Sequence, residues 1–146
     1  MGRINVKRVL AGGLVAGLVI NVGETILNAF FLAGAYAERM TAYGVSESPY
    51  SVPIFTVYGF LLGIVAVWLY ALARPRLGPG PKTAVIVGLG VWFLYSGSFA
   101  DFHLAIPVFP SYVPLANLAW GLVELPLATV AGAWVYREVS GAPSPA

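Results

Sequence analysis

The sequence predicts an all-α polytopic membrane protein, a four-transmembrane-helix bundle with both termini in the cytoplasm. Three observations predict it. The 146 residues are 59% hydrophobic and 10% charged, with a mean hydropathy of +0.83, whereas soluble domains carry about 25% charged residues. The apolar residues fall into four runs, each near or above the ~20 residues that a helix needs to cross ~30 Å of hydrocarbon. Almost all Lys and Arg side chains fall on one side of those runs.

The runs cover about residues 9–35, 55–73, 83–104 and 113–136, within a single transmembrane domain spanning 1–146. Turn signals separate them. "SESPYSVP" (46–53) divides the first pair, and "IPVFPSYVP" (106–114) divides the last. "RPRLGPGPK" (74–82) divides the middle pair and reads as too rich in Pro and Gly to be helical. Backbone inside a bilayer must satisfy its own hydrogen bonds, and alternating barrel-strand patterns are absent, so the runs read as helices.

Orientation follows from the cations. Arg3, Lys7 and Arg8 precede span one, Arg74, Arg76 and Lys82 lie between spans two and three, and Arg137 follows span four. Only Arg39 falls on the other side, a ratio of seven to one that places both termini in the cytoplasm. Trp68, Tyr70, Trp134 and Tyr136 sit near the cytoplasmic ends of spans two and four and read as an interfacial aromatic belt. The basic start, apolar run and "AGAYA" (33–37) resemble a cleaved signal peptide, but the run far exceeds the ~7–15 residues of a signal core and Glu24 interrupts it.

A faint internal echo links "AVWLYALARPR" (66–76) to "GAWVYRE" (132–138), and "VKRVLAGGLVAG" (6–17) to "PKTAVIVGLGVW" (81–92). It reads either as two repeated helical hairpins related by an axis along the membrane normal or as ordinary recurrence of small and aromatic residues in membrane helices.

Composition excludes several chemistries. With no cysteine, disulfides, thiolate metal sites and cysteine nucleophiles are ruled out. His103 is the single histidine, so no site built on two histidines of one chain is available. The net charge of +2 offers no basic patch for nucleic acid. No phosphate loop, G-x-S-x-G or H-E-x-x-H motif occurs, and Ser96 and Ser98 have no independent base, so no enzyme and no cofactor is expected.

The informative residues are the polar ones inside the spans. Gly17, Asn21, Glu24 and Asn28 are spaced four, three and four apart, which places them on one helical face. Asn117, Gly121, Glu124, Ala128 and Ala131 form a similar stripe in span four. Small residues let helix backbones approach, and Asn hydrogen-bonds across such contacts, so spans one and four are expected to face each other along these stripes. Glu24 and Glu124 each lie mid-span, where an ionised carboxylate costs several kcal/mol or more unless compensated. No span interior contains Lys or Arg. Three forms of compensation are open: protonation of each carboxyl, one proton shared by the pair, or a cation from outside the chain. Pro126, two residues after Glu124, removes a helical hydrogen bond and frees the carbonyl of Leu122. That is either a site feature or the ordinary tolerance of membrane helices for proline.

The polar groups are distributed asymmetrically. Asn28 lies about 6 Å outward of Glu24, and Asn117 about 10 Å outward of Glu124, at 1.5 Å per residue. Tyr95, Ser96, Ser98, Asp101 and His103 occupy the outer part of span three, where the chain reads as leaving the helix. Cytoplasm-ward of the glutamates only Asn21 is strongly polar within the spans. The expected site is therefore an outward-facing polar pocket. Glu24, Glu124, Asn21, Asn28 and Asn117 are its ligand- or proton-binding candidates, with Asp101, His103 and Tyr95 at its mouth. Asp101 and His103 read equally as interfacial polar residues. Such a pocket suits a proton, a cation, a small ligand or a partner helix. The alternatives are a proton-coupled small-molecule transporter, or an accessory subunit of a larger membrane complex. The expected partners are the lipid bilayer and either further copies of the chain or a larger assembly.

Three stretches, "AGGLVAGLVINVGETILNAFFLAGAYAERMTAYG", "GFLLGIVAVWLYALARPRLGPGPKTA" and "WGLVELPLATVAGAWVYRE", together resemble a group of uncharacterised small bacterial four-helix membrane proteins. A first helix followed by the amphipathic "AYAERMTAYGVSES" and three further helices is similar to the domain family DUF1761. The resemblance implies a multi-pass protein of the bacterial cytoplasmic membrane. It implies no activity and no functional residue.

The absence of native cysteine permits a direct check of orientation. A single cysteine replacing Ser46 is expected to react with a membrane-impermeant maleimide added outside cells. One replacing Gly78 is expected to react only after the cells are opened. The reverse pattern contradicts the orientation.

Overall fold

The computed structural model describes residues 4–136. Arg3 and Arg137, two of the cations behind the expected orientation, lie outside the described residues. All regular structure is helical, and among the described residues there is no strand. Four helices are long and apolar enough to cross a membrane: α1, Val6–Tyr43; α2, Ser51–Leu77; α3, Pro81–Ala105; and α4, Tyr112–Val135.

Helix α1 starts at Asn5, whose side chain accepts from the Arg8 N–H at 3.2 Å, satisfying one of the donors left free in a first turn. Its 38 residues span about 57 Å. The helix outruns the expected 9–35 because the amphipathic "AYAERMTAY" continues it. Gly44 ends it with φ of 63°, a left-handed conformation that a residue without Cβ adopts at little cost. Helix α2 also runs further than expected. "RPR" is helical, with Pro75 in the final turn of α2, where one missing N–H disturbs little of the helix. The break is confined to residues 78–80. Gly78 N–H bonds to Arg74 O at 2.9 Å, and Pro81 opens α3 at a position whose N–H has no helical partner to lose. The Thr83 hydroxyl donates to Gly78 O at 2.7 Å and fastens the turn.

The helices pack in the order α2, α1, α4, α3, each antiparallel to its neighbour. Contacts between α1 and α2, α1 and α4, and α3 and α4 are extensive, whereas α2 and α3 touch thinly. Two repeated hairpins would pack α1 on α4 and α3 on α2 alike, and they do not. Glycine makes the extensive contacts possible. Gly13 and Gly17 lie against Ile64, Phe60 and Gly63 of α2, Gly12 lies against Gly132 of α4, and Gly88 of α3 lies against Pro126. These are small-x-x-x-small surfaces, which let backbones meet and gain dispersion energy. At the end carrying the termini, Val9, Ala16, Ile20, Val67, Leu125 and Ala128 form one buried cluster. At the opposite end Leu27, Leu32, Ala35 and Val113 form a second.

The expected aromatic belt divides. Trp68 and Trp134 are exposed, but Tyr70 and Tyr136 are buried and meet edge-on at 6.0 Å. Residues two apart on a helix point to different sides. The Tyr70 hydroxyl accepts from Gly80 N–H at 3.1 Å, tying α2 to the turn before α3.

A side chain at Gly63 would run into the backbone of Gly13 and Gly17, whereas one at Gly34 meets nothing. Overpacking of this kind costs about 1–3 kcal/mol or more. Gly63→Leu is expected to lower the thermal unfolding midpoint in detergent, and Gly34→Leu to leave it unchanged or higher. Equal midpoints for the two variants contradict the packing.

Candidate functional site

Two irregularities in the backbone flank the polar residues. Residues Leu27–Leu32 of α1 and Phe93–Gly97 of α3 are π-helical. A π segment inserts one residue into the α-helical period, and such insertions are frequent at functional sites. The buried positions record the insertion as a step of five, from Leu27 to Leu32 in α1 and from Val91 to Ser96 in α3. Side-chain hydrogen bonds to the helix backbone precede the first. The Asn28 amide donates to the Glu24 backbone carbonyl at 2.8 Å, and the Thr25 hydroxyl donates to Asn21 O at 2.7 Å. The Glu24 carbonyl also accepts from the Leu27 backbone N–H, so side-chain and backbone donors share it.

The same Asn28 amide donates to Glu24 Oε2 at 2.9 Å. Glu24 is half-buried. Across the α1–α4 contact, Glu124 is 7% exposed and lies directly against Gly23, where any Cβ would collide with its carboxylate. Glu124 Oε1 accepts a long hydrogen bond of 3.3 Å from the Trp120 indole N–H. Glu124 Oε2 is buried with no hydrogen-bond partner. By sequence no Lys or Arg lies within α4 or between Arg8 and Arg39 of α1.

Tyrosines complete the cluster. The Tyr95 hydroxyl, on the π segment of α3, lies within Coulombic range of Glu24, Tyr58, Glu124 and Tyr36. Tyr36 lies beside Asn117, whose own amide donates to Val113 O at 3.0 Å. Glu24, Asn28, Tyr36, Tyr95, Asn117, Trp120 and Glu124 therefore gather at one level of the bundle. Tyr36, Trp120 and the π segments are the members that the sequence reading missed. The step of five shows in burial and not in the sequence, because Ala29, Phe30 and Phe31 between Leu27 and Leu32 are apolar as well.

Several expected placements change. Asn21 and Gly17 do not face α4. The Asn21 amide donates to Thr56 O of α2 at 3.2 Å and to Gly17 O at 2.8 Å. Four-three-four spacing drifts across a helix face, and α2 occupies one flank of it. Gly121 likewise faces Ser96 and Trp92 of α3. Pro126 is buried against Gly88, so it serves the α3–α4 contact.

Asp101 and His103 remain helical, since α3 continues to Ala105, and they part company. Asp101 is exposed. The His103 ring stacks on Phe99 at 4.1 Å and meets Phe102 and Phe109 at 5.2 and 5.5 Å, with Nδ1 on Phe99 O at 2.8 Å. It is an aromatic-packed residue apart from the glutamates. An apolar cluster lies between α1 and α4 at the end away from the termini. Leu27, Leu32, Ala35 and Val113 form it, with Phe109 and Trp120 packed against them. The π insertion turns Leu32 and Ala35 into this contact.

A different opening exists at the side. A cleft of about 380 Å³ separates α2 from α3, lined by Leu62, Val65, Leu94 and Ser98 and by Tyr58 and Tyr95. The two tyrosine rings are 5.8 Å apart. Tyr95 lines this cleft, and neither Glu24 nor Glu124 does. Among the described residues, no three His, Cys, Asp or Glu side chains group as metal ligands. No known family model, curated protein or solved structure matches this chain.

Proposed function

We propose that this chain is a multi-pass protein of the bacterial cytoplasmic membrane, and that the Glu24–Glu124 cluster binds a proton or a small cation at mid-depth. Four long apolar helices support the membrane placement, as does an exterior rich in exposed Leu, Val and Phe. The single observation that carries the site is Glu124 Oε2, an enclosed carboxylate oxygen with no donor. An unsatisfied buried polar group costs about 1–3 kcal/mol, and more when charged. A proton or a cation supplies what the chain itself does not. Enclosure also separates the readings of this residue. At 7% exposure Glu124 is out of reach of a docking helix, which favours a small species over an assembly seam.

A carboxylate kept for binding and not for folding gives a defined pattern. An apolar carbodiimide is expected to modify Glu124 in wild-type protein in bilayers, with labelling reduced by a small ammonium ion. Glu124→Gln is expected to reduce labelling at that peptide at least tenfold. Glu124→Leu is expected to unfold no earlier than wild type, because an apolar group of similar shape removes the unsatisfied oxygen. Unlabelled wild-type protein, together with early unfolding of Glu124→Leu, contradicts the proposal and assigns the residue to structure.

A further inference from the structure

The cleft between α2 and α3 lies apart from the glutamates, neither of which lines it. The three other neighbouring helix pairs pack closely, whereas α2 and α3 touch thinly. The cleft's volume of about 380 Å³ falls within the ~300–1,000 Å³ of small-molecule sites. Val65 and Leu94 on its walls are 50% and 68% exposed, so it opens on the side of the bundle, where lipid is the solvent. Its lining is graded along the helix axes. Tyr58 of α2 and Tyr95 and Ser98 of α3 line the end away from the termini, with the two rings 5.8 Å apart. Leu69 of α2 and Val91 of α3 line the other end. About 16 Å of helix separate Tyr58 from Leu69.

The polar end is built from donors. No hydrogen bond within the described residues engages the Tyr58, Tyr95 or Ser98 hydroxyl, and each is an O–H donor. Tyr58 lies about 10 Å along α2 from Ser51, and Ser98 about 10 Å along α3 from Ala105, at 1.5 Å per residue. Helices of 27 and 25 residues reach across hydrocarbon and interface together, which puts the three hydroxyls near the boundary between the two. Water is scarce at that depth, and a hydroxyl without a partner costs free energy there. A carbonyl oxygen supplies the acceptor. Beyond the hydroxyls the walls are aliphatic and fit a hydrocarbon chain. No lining residue carries a charge, so a charged headgroup finds no partner. The geometry points to the α2–α3 cleft as a lateral binding site for an uncharged single-chain lipid, its ester carbonyl at Tyr58, Tyr95 and Ser98 and its tail running toward Leu69 and Val91.

The probe is a monoacylglycerol carrying a photoactivatable diazirine, either beside the ester or at the end of the chain, added to wild-type protein in phosphatidylcholine nanodiscs. The ester-proximal diazirine is expected to mark residues around Tyr58 and Tyr95, and the chain-end diazirine residues around Leu69 and Val91. Unlabelled monoacylglycerol in tenfold excess is expected to cut this labelling at least fivefold, and an alkane of equal length to leave it unchanged. Val65→Trp and Leu94→Trp fill the cleft from exposed positions, and each is expected to lower labelling at least threefold. Phe93→Trp, exposed but outside the lining, is expected to leave it unchanged. Tyr58→Phe combined with Ser98→Ala removes two hydroxyls from exposed positions. It is expected to weaken competition at least threefold while the unfolding midpoint in detergent stays at the wild-type value. Labelling spread evenly over the exposed faces of all four helices, or undiminished in both Trp variants, shows that ordinary bilayer lipid borders the cleft and overturns the site. Equal competition by the alkane removes the carbonyl and overturns the assignment as well. Neither result bears on Glu124, whose carbodiimide labelling tests the cation reading separately.

Discussion

Close backbone contact between α1 and its two neighbours is the constraint on which the remaining structure depends. Inside a bilayer the hydrophobic effect does not draw apolar helices together, because lipid is as apolar as leucine. Contact must come from dispersion and shape. Gly12 against Gly132, and Gly13 and Gly17 against α2, bring backbones within reach of each other. With α1 held this near α4, Gly23 is pressed onto the Glu124 carboxylate, and water has no room to solvate it. The burial of Glu124 is thus a by-product of glycine packing several turns away.

The same packing explains where the molecule opens. One helix cannot be close to every neighbour in a four-helix ring. Helix α1 takes α2 and α4, α4 takes α3, and the remaining α2–α3 side is left slack. The π segments adjust the outer halves to this arrangement. In α1 the insertion rotates Leu32 and Ala35 into the α4 contact, sealing the end of the bundle above the glutamates. In α3 the π segment carries Tyr95, which lines the cleft.

Much of the architecture was legible in composition and run length, because spanning a bilayer demands ~20 apolar residues per helix and self-satisfied backbone. That Glu24 and Glu124 lie at a similar depth was also legible, since depth follows from counting at 1.5 Å per residue. Azimuth was less so. Assigning Asn21 to α4 failed because a stripe spaced four, three and four covers enough of the helix for two neighbours to share it, and α2 took Asn21. Nothing in the apolar run marked the π insertion, which shifts every residue after it relative to a regular helix. The helical "RPR" shows a further limit: Pro75 removes one hydrogen bond to the turn before it without ending the helix, which stops at Gly78. Tyr36 and Trp120 escaped notice because each looks like an ordinary interfacial aromatic until folding brings it beside Asn117 or Glu124.

The central claim is that α1 is packed against an otherwise unsatisfied Glu124 carboxylate. A double-mutant cycle on Gly23 and Glu124 tests it most directly. Unfolding free energies would be measured for wild type, Gly23→Ala, Glu124→Ala and the double variant in one detergent. The account predicts that Gly23→Ala displaces the Glu124 carboxyl and so changes stability by a different amount when Glu124 is alanine, a coupling within the ~0.5–3 kcal/mol seen for residues in contact. A Gly23→Ala cost that is the same in both backgrounds would contradict it.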